Sequence, residues 1–104
     1  MKKSNFKGGR NQHLTACMMY LNNFDFKFSF SAFATDGKDF IDGVSGAFFS
    51  NIHQKYVQNN KSEIWNYIKK NETYVLHTKL RSIIESKITG HNVSDIFVFF
   101  FEKK

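Results

Sequence analysis

Residues 24–34 read FDFKFSFSAFA, and this stretch carries the fold. Phe24, Phe26, Phe28, Phe30, Ala32 and Ala34 fall on one side of a two-residue alternation, with Asp25, Lys27, Ser29 and Ser31 on the other. That period belongs to a β-strand with one face in a core, because successive side chains of a strand point to opposite faces. Its register is strongly specified, since a slip of one residue would turn every Phe outward. Thr35-Asp36-Gly37-Lys38 closes the strand with a turn signal, and Asp39 to Gly43 reads as a short return strand or a structured loop.

Working outward, Ser45 can cap a helix to about Asn59, with Phe48, Ile52 and Tyr56 at four-residue spacing. Asn59-Asn60 breaks it. Ser62-Glu63 opens a second helical run with Ile64, Trp65 and Ile68 inward. A third runs from about Glu72 to Ile88, with Leu76, Leu80, Ile83, Ile84 and Ile88 as its stripe and Gly90 as its stop. The apolar run Ile96 to Phe101 fits a strand buried on both faces. Upstream, His13 to Leu21 fits a strand or a helix equally, and periodicity does not decide between them. The expectation is an α/β domain, a layered sheet with about three helices in the order strand, loop, helix, helix, strand.

The chain has 104 residues, a net charge of +6, one Cys, no Pro and 13 Phe. Such a length supports one domain burying somewhat under about 70% of its unfolded surface. The lone Cys17 excludes an internal disulfide framework and points to a reducing, cytoplasmic location. Lys2, Lys3, Lys7, Arg10, Lys103 and Lys104 hold the whole charge excess, leaving a neutral body. Residues 1–12, with Gly8-Gly9, therefore read as a flexible basic arm, 13–102 as a single α/β domain and 103–104 as a basic tail. The Phe count has a plain reading too: Phe, Ile, Asn, Lys and Tyr are plentiful and Arg is scarce, as AT-rich coding produces. Leu14-Thr15-Ala16-Cys17 looks like a lipoprotein cleavage box, but MKKSNFKGGRNQH before it contains no apolar segment to insert. No run reaches the roughly 20 apolar residues of a spanning helix, so no membrane is expected.

The histidines His13, His53, His77 and His91 form no tight metal-ligand spacing with one another or with Cys17, so no metal and no cofactor are expected. His13 and Cys17 stand four apart, the spacing of a thiolate–imidazole pair were the segment helical, but no third group orients them. Asp36, Asp39 and Asp42 cluster around Gly37 and Gly43 without the alternate-residue spacing of a calcium loop.

Residues 31–101 resemble the small-subunit region of caspase-like cysteine peptidases, the metacaspase branch most closely. The resemblance is carried by Gly43-Val44-Ser45-Gly46-Ala47-Phe48-Phe49 after a core strand, by Lys61-Ser62-Glu63-Ile64-Trp65, and by Gly90-His91-Asn92-Val93-Ser94-Asp95 before the final strand. It implies a substrate-pocket loop in which Asp36, flanked by Thr35 and Asp39, receives a basic side chain. It implies no catalytic residue in this chain, because that family's His and Cys lie in the preceding large subunit. The expected function is a non-catalytic small subunit or regulator of such a peptidase, paired with a large peptidase subunit or forming a homo-oligomer. One alternative is a small protein-interaction module, an inhibitor or adaptor, whose arm of Lys2, Lys3, Lys7 and Arg10 meets an acidic partner. Another is weak nucleic-acid binding through that arm, which would be salt-sensitive.

Overall fold

A computed structural model describes residues 8–34, 38–39, 41–85 and 94–102, with the backbone alone at 38, 39, 41 and 42. The chain forms helix α1 (Arg10–Leu21), strand β1 (Lys27–Ala34), the short strands β2 (Lys38–Asp39) and β3 (Ile41–Asp42), and strand β4 (Val44–Ser50). Helices α2 (Asn51–Asn59), α3 (Lys61–Lys69) and α4 (Thr73–Leu80) follow in succession, then strands β5 (Ile83–Glu85) and β6 (Asp95–Glu102). The main sheet has the order β5-β4-β1-β6, with every neighbouring pair antiparallel.

β1 keeps the alternation that its sequence dictates: Phe28, Phe30, Ala32 and Ala34 are buried and the residues between them are half-exposed. The regular strand starts only at Lys27, and side-chain amides bind the backbone carbonyls of Phe24 and Phe26 before it and the N–H of Phe28 near its start. Asn51 Oδ1 accepts from Phe28 N–H at 2.8 Å and Asn51 Nδ2 donates to the Phe26 carbonyl at 2.9 Å. Gln54 Nε2 donates to the Phe24 carbonyl at 2.9 Å and to Asn22 Oδ1 at 3.0 Å. Residue pairs Phe30↔Phe49 and Ala32↔Ala47 put the buried sides of β1 and β4 on one face. On that face Ala16 and Met19 of α1, Val57 of α2, Ile64 and Ile68 of α3 and Leu76 of α4 close over Phe28 and Phe49. All four helices thus serve one side of the sheet, a two-layer α/β arrangement.

His13 to Leu21, where periodicity leaves strand and helix open, is helical. Several expectations are corrected. Residues 10–12, which the sequence assigns to the arm, belong to α1. Residues 45–50 form β4, not the start of a helix. The reason is Gly46: a Cβ there would lie 1.9 Å from the Ala32 carbonyl oxygen and 2.7 Å from Phe33 Cα, so its hydrogen side chain lets β4 close onto β1. The spacing of Phe48, Ile52 and Tyr56 merely straddles a strand–helix junction. Ser50 is the N-cap there, and its N–H donates to His53 Nδ1 at 3.1 Å, with His filling the place Glu or Gln usually takes in a capping box.

Trp65, expected inward, is 45% exposed and lies beside the Tyr20 ring at 5.4 Å. The helical run expected from Glu72 to Ile88 is α4 and stops at Leu80, where Arg81 turns left-handed at φ 57° and Ser82 N–H donates to the His77 carbonyl at 2.8 Å. Ile83 and Ile84 then pair with Ala47 and Gly46 of β4, a use that suits β-branched side chains. Ile88 and Gly90 lie outside the described residues. β6 is not buried on both faces; it is an edge strand, with Phe97, Phe100 and Phe101 exposed. The α/β class stands, but the caspase-like order does not: a helix precedes the first strand, β4 follows as its direct sheet neighbour, and three helices separate β4 from β5.

Candidate functional site

The N-terminus of α1 borders a hollow of about 460 Å³ lined by Gly8, Gly9, Arg10, His13, Cys17 and Asn71, among others. Gly8 lies so close to the start of α4 that a Cβ would sit 2.3 Å from Thr73 Oγ1 and 3.0 Å from Tyr74 N. Gly9 is the helix N-cap, and its carbonyl accepts the first intrahelical bond from His13 N–H at 2.9 Å. Arg10, His13 and Cys17 follow at helical spacing and so share the face that lines the hollow. Such an end carries unsatisfied N–H groups and the positive pole of the helix dipole.

Strand β6 reaches this helix end through Asp95. Its carboxylate accepts from Arg10 Nε through Oδ2 and from Asn11 Nδ2 through Oδ1 at 3.0 Å. The Arg10 guanidinium, with help from Asn11, holds the Asp95 carboxyl below the usual carboxylate range. The arrangement fixes the direction of an exposed arginine at the mouth of an apolar hollow. Burial pushes the Cys17 thiol up, away from the thiolate a nucleophile needs. Among the described residues no hydrogen bond joins His13 to Cys17, and the buried His13 Nδ1 has no partner.

The other two described histidines serve the interior. His77 is fully buried, with Nδ1 2.7 Å from Ser82 Oγ and Nε2 2.8 Å from the Gln12 carbonyl oxygen. The carbonyl can only accept, so Nε2 carries the proton and Nδ1 accepts from the serine hydroxyl. Desolvation lowers its pKa to about 4. Burial also lowers that of His53. Among the described residues no three His, Cys, Asp or Glu side chains converge as metal ligands.

Of the residues singled out by sequence, Thr35 and Asp36 lie outside the described residues, as do Lys2, Lys3 and Lys7. Asp39 is in β2, opposite Ile41 of β3. Arg10 alone among the arm residues is described, and it stands in the helix, not in a free arm. Sequence reasoning missed Gly8-Gly9 as a packed helix entry. The available signal was a glycine pair followed by Arg directly before a helical run, a pattern suited to close approach by an anion.

Residues 2–95 match the MOFRL family. The chain belongs to the MOFRL family. This MOFRL chain is 33% identical over 102 residues to the glycerate 2-kinase of Picrophilus torridus, covering 98% of itself and 23% of that protein. Its fold matches the crystal structure of glycerate kinase from Thermotoga maritima with a TM-score of 0.78 at 24% identity, over 91% of this chain and 23% of that one. The chain thus spans about a quarter of the length of these relatives.

These findings overturn the caspase-like resemblance. The small-subunit or regulator function drawn from it falls too, together with the large peptidase subunit expected as partner. They lend no support to the interaction-module or nucleic-acid alternatives. The motif matches misled because small residues before an apolar run serve a strand as readily as a helix, and here they make β4. Among the described residues no helix is long and apolar enough to cross a membrane.

Proposed function

We propose that this MOFRL chain is one α/β domain of a glycerate-kinase-like phosphotransferase and that the α1 hollow contributes to anion binding there. The reading is carried by the 33% identity to the Picrophilus torridus glycerate 2-kinase across nearly the whole chain. The geometry suits it. Glycerate carries a carboxylate and a phosphoryl donor carries phosphates, and enzymes that move phosphoryl groups work mainly by positioning and charge stabilisation. A helix N-terminus with closely packed glycines and a guanidinium held in place by a carboxylate offers N–H donors to either anion. In this reading Arg10 contacts the anion and Asp95 is its positioning residue. Cys17 plays no chemical part. A cytoplasmic location, expected from the single Cys17, fits a kinase of a small metabolite.

The test exchanges the matching quarter of the Picrophilus torridus enzyme for this chain and follows glycerate-dependent phosphoryl transfer. Turnover is expected in the exchanged protein, falling roughly 10–1000-fold with Arg10→Met. An exchanged protein with native size and helix content but no glycerate-dependent transfer refutes the reading.

A further inference from the structure

Among the described residues strand β6 lies at one edge of the sheet and is bonded to β1 alone. Between Asp95 and Glu102 it has six apolar residues in a row, without the charge, Pro or bulge that natural edges use against unwanted pairing. Both of its faces are open. Phe97 and Phe101, on the helix side, are 57% and 63% exposed, and Phe100, on the other side, is 69% exposed. The open surface continues into a hollow of about 450 Å³ bordered by Phe28, Ile52, Phe100 and Phe101. Ile52 is itself 80% exposed.

Two observations say what covers this surface. A continuous apolar run belongs in a strand buried on both faces, so the composition of β6 is that of an interior strand although this chain leaves it at the edge. In both kinase relatives about three-quarters of the polypeptide also lies outside the part that this chain spans. We propose that β6 is an interior strand of a wider sheet, paired along its open edge with an extended apolar segment from the part of a glycerate-kinase-like polypeptide that this chain does not span. The proposal rests on the kinase reading above. The occupant is a strand because an open edge presents a row of N–H and C=O groups that another strand satisfies directly. Its side chains are apolar on both faces, matching Phe97 and Phe101 on one side and Val98 and Phe100 on the other. The hollow beside Ile52 takes a bulky residue at the end of that segment.

Amide hydrogen exchange tests it, comparing this chain with the intact Picrophilus torridus kinase. In this chain alone, every second amide of residues 95–102 points away from β1 and exchanges fast. In the intact kinase the strand aligned with 95–102 is expected to lose this alternation, its outward amides slowing roughly a hundredfold. The same fast-and-slow alternation in the intact kinase overturns the proposal. Glycerate-dependent transfer is read separately in the exchanged protein described above. An open strand in an active enzyme therefore removes the docking surface and leaves the kinase reading standing, while a covered strand with an inactive exchanged protein does the reverse.

Discussion

Lowering the pH is expected to destabilise the fold through His77. The imidazole is fully buried, and its single neutral tautomer satisfies both the Gln12 carbonyl and the Ser82 hydroxyl. A second proton would place a charge where, among the described residues, no carboxylate answers it, and desolvation has taken the pKa from the model-peptide value of 6.5 to about 4. The folded pKa lies below the unfolded one, so between those values the unfolded chain binds more protons. Stability is therefore fully present above about pH 6.5 and drains away as the pH falls toward 4. The gap corresponds to about 3 kcal/mol, most of which is lost between pH 7 and pH 4.5. His53, also lowered by burial, adds in the same direction. The low-lying carboxyls of Glu63 and Asp95 yield only under more acid conditions.

Urea unfolding at pH 7 and pH 4.5 measures the loss, and His77→Gln should flatten most of the pH dependence. A wild-type difference under about 1 kcal/mol, or an unchanged slope in the variant, refutes the reasoning. If the variant is too unstable to compare, the imidazole proton resonances of the wild type report the pKa directly, and a midpoint near 6.5 refutes it equally.

Gly46→Ala forces the new methyl into the Ala32 carbonyl, and a loss of about 3 kcal/mol or more in urea unfolding is expected as β4 is pushed from β1. Phe49→Ala, emptying a fully buried site between the sheet and the helices, should cost about 3–5 kcal/mol by the same measurement. Titrating glycerate into the labelled protein should shift the amide resonances of residues 9–13, and Arg10→Met should abolish the shifts. Shifts confined to other regions would remove the hollow as a glycerate site. Cys17 should react with a maleimide more slowly than a free cysteine at neutral pH, because burial raises its pKa.

Much of the local structure can be read without coordinates. The alternation of Phe28, Phe30, Ala32 and Ala34 survives intact in β1 because burial on one face leaves a strand no other register. Ile64 and Ile68 of α3 also turn inward where spacing places them, whereas the stripe expected before Asn59 does not form, Phe48 lying in β4 and Ile52 exposed. The errors cluster where one pattern satisfies two geometries. Leu80, Ile83 and Ile84 fit a helical stripe, yet the left-handed turn at Arg81 sends the isoleucines into β5. The candidate site was hidden for a similar reason: Gly8-Gly9 reads as looseness until α4 is seen packed against Gly8.

The sequence by itself determined the α/β class, the face of β1 that enters the core and the absence of an internal disulfide, since alternation and residue counts need no partner to be read. Only the tertiary structure decided that residues 44–50 are a strand, that Arg10 is gripped by Asp95 across 85 positions of chain, and that β6 stands at an edge. Each depends on which distant backbone lies alongside. Hydrogen bonds between strands and ion pairs between elements are settled by that proximity, and local periodicity does not encode it.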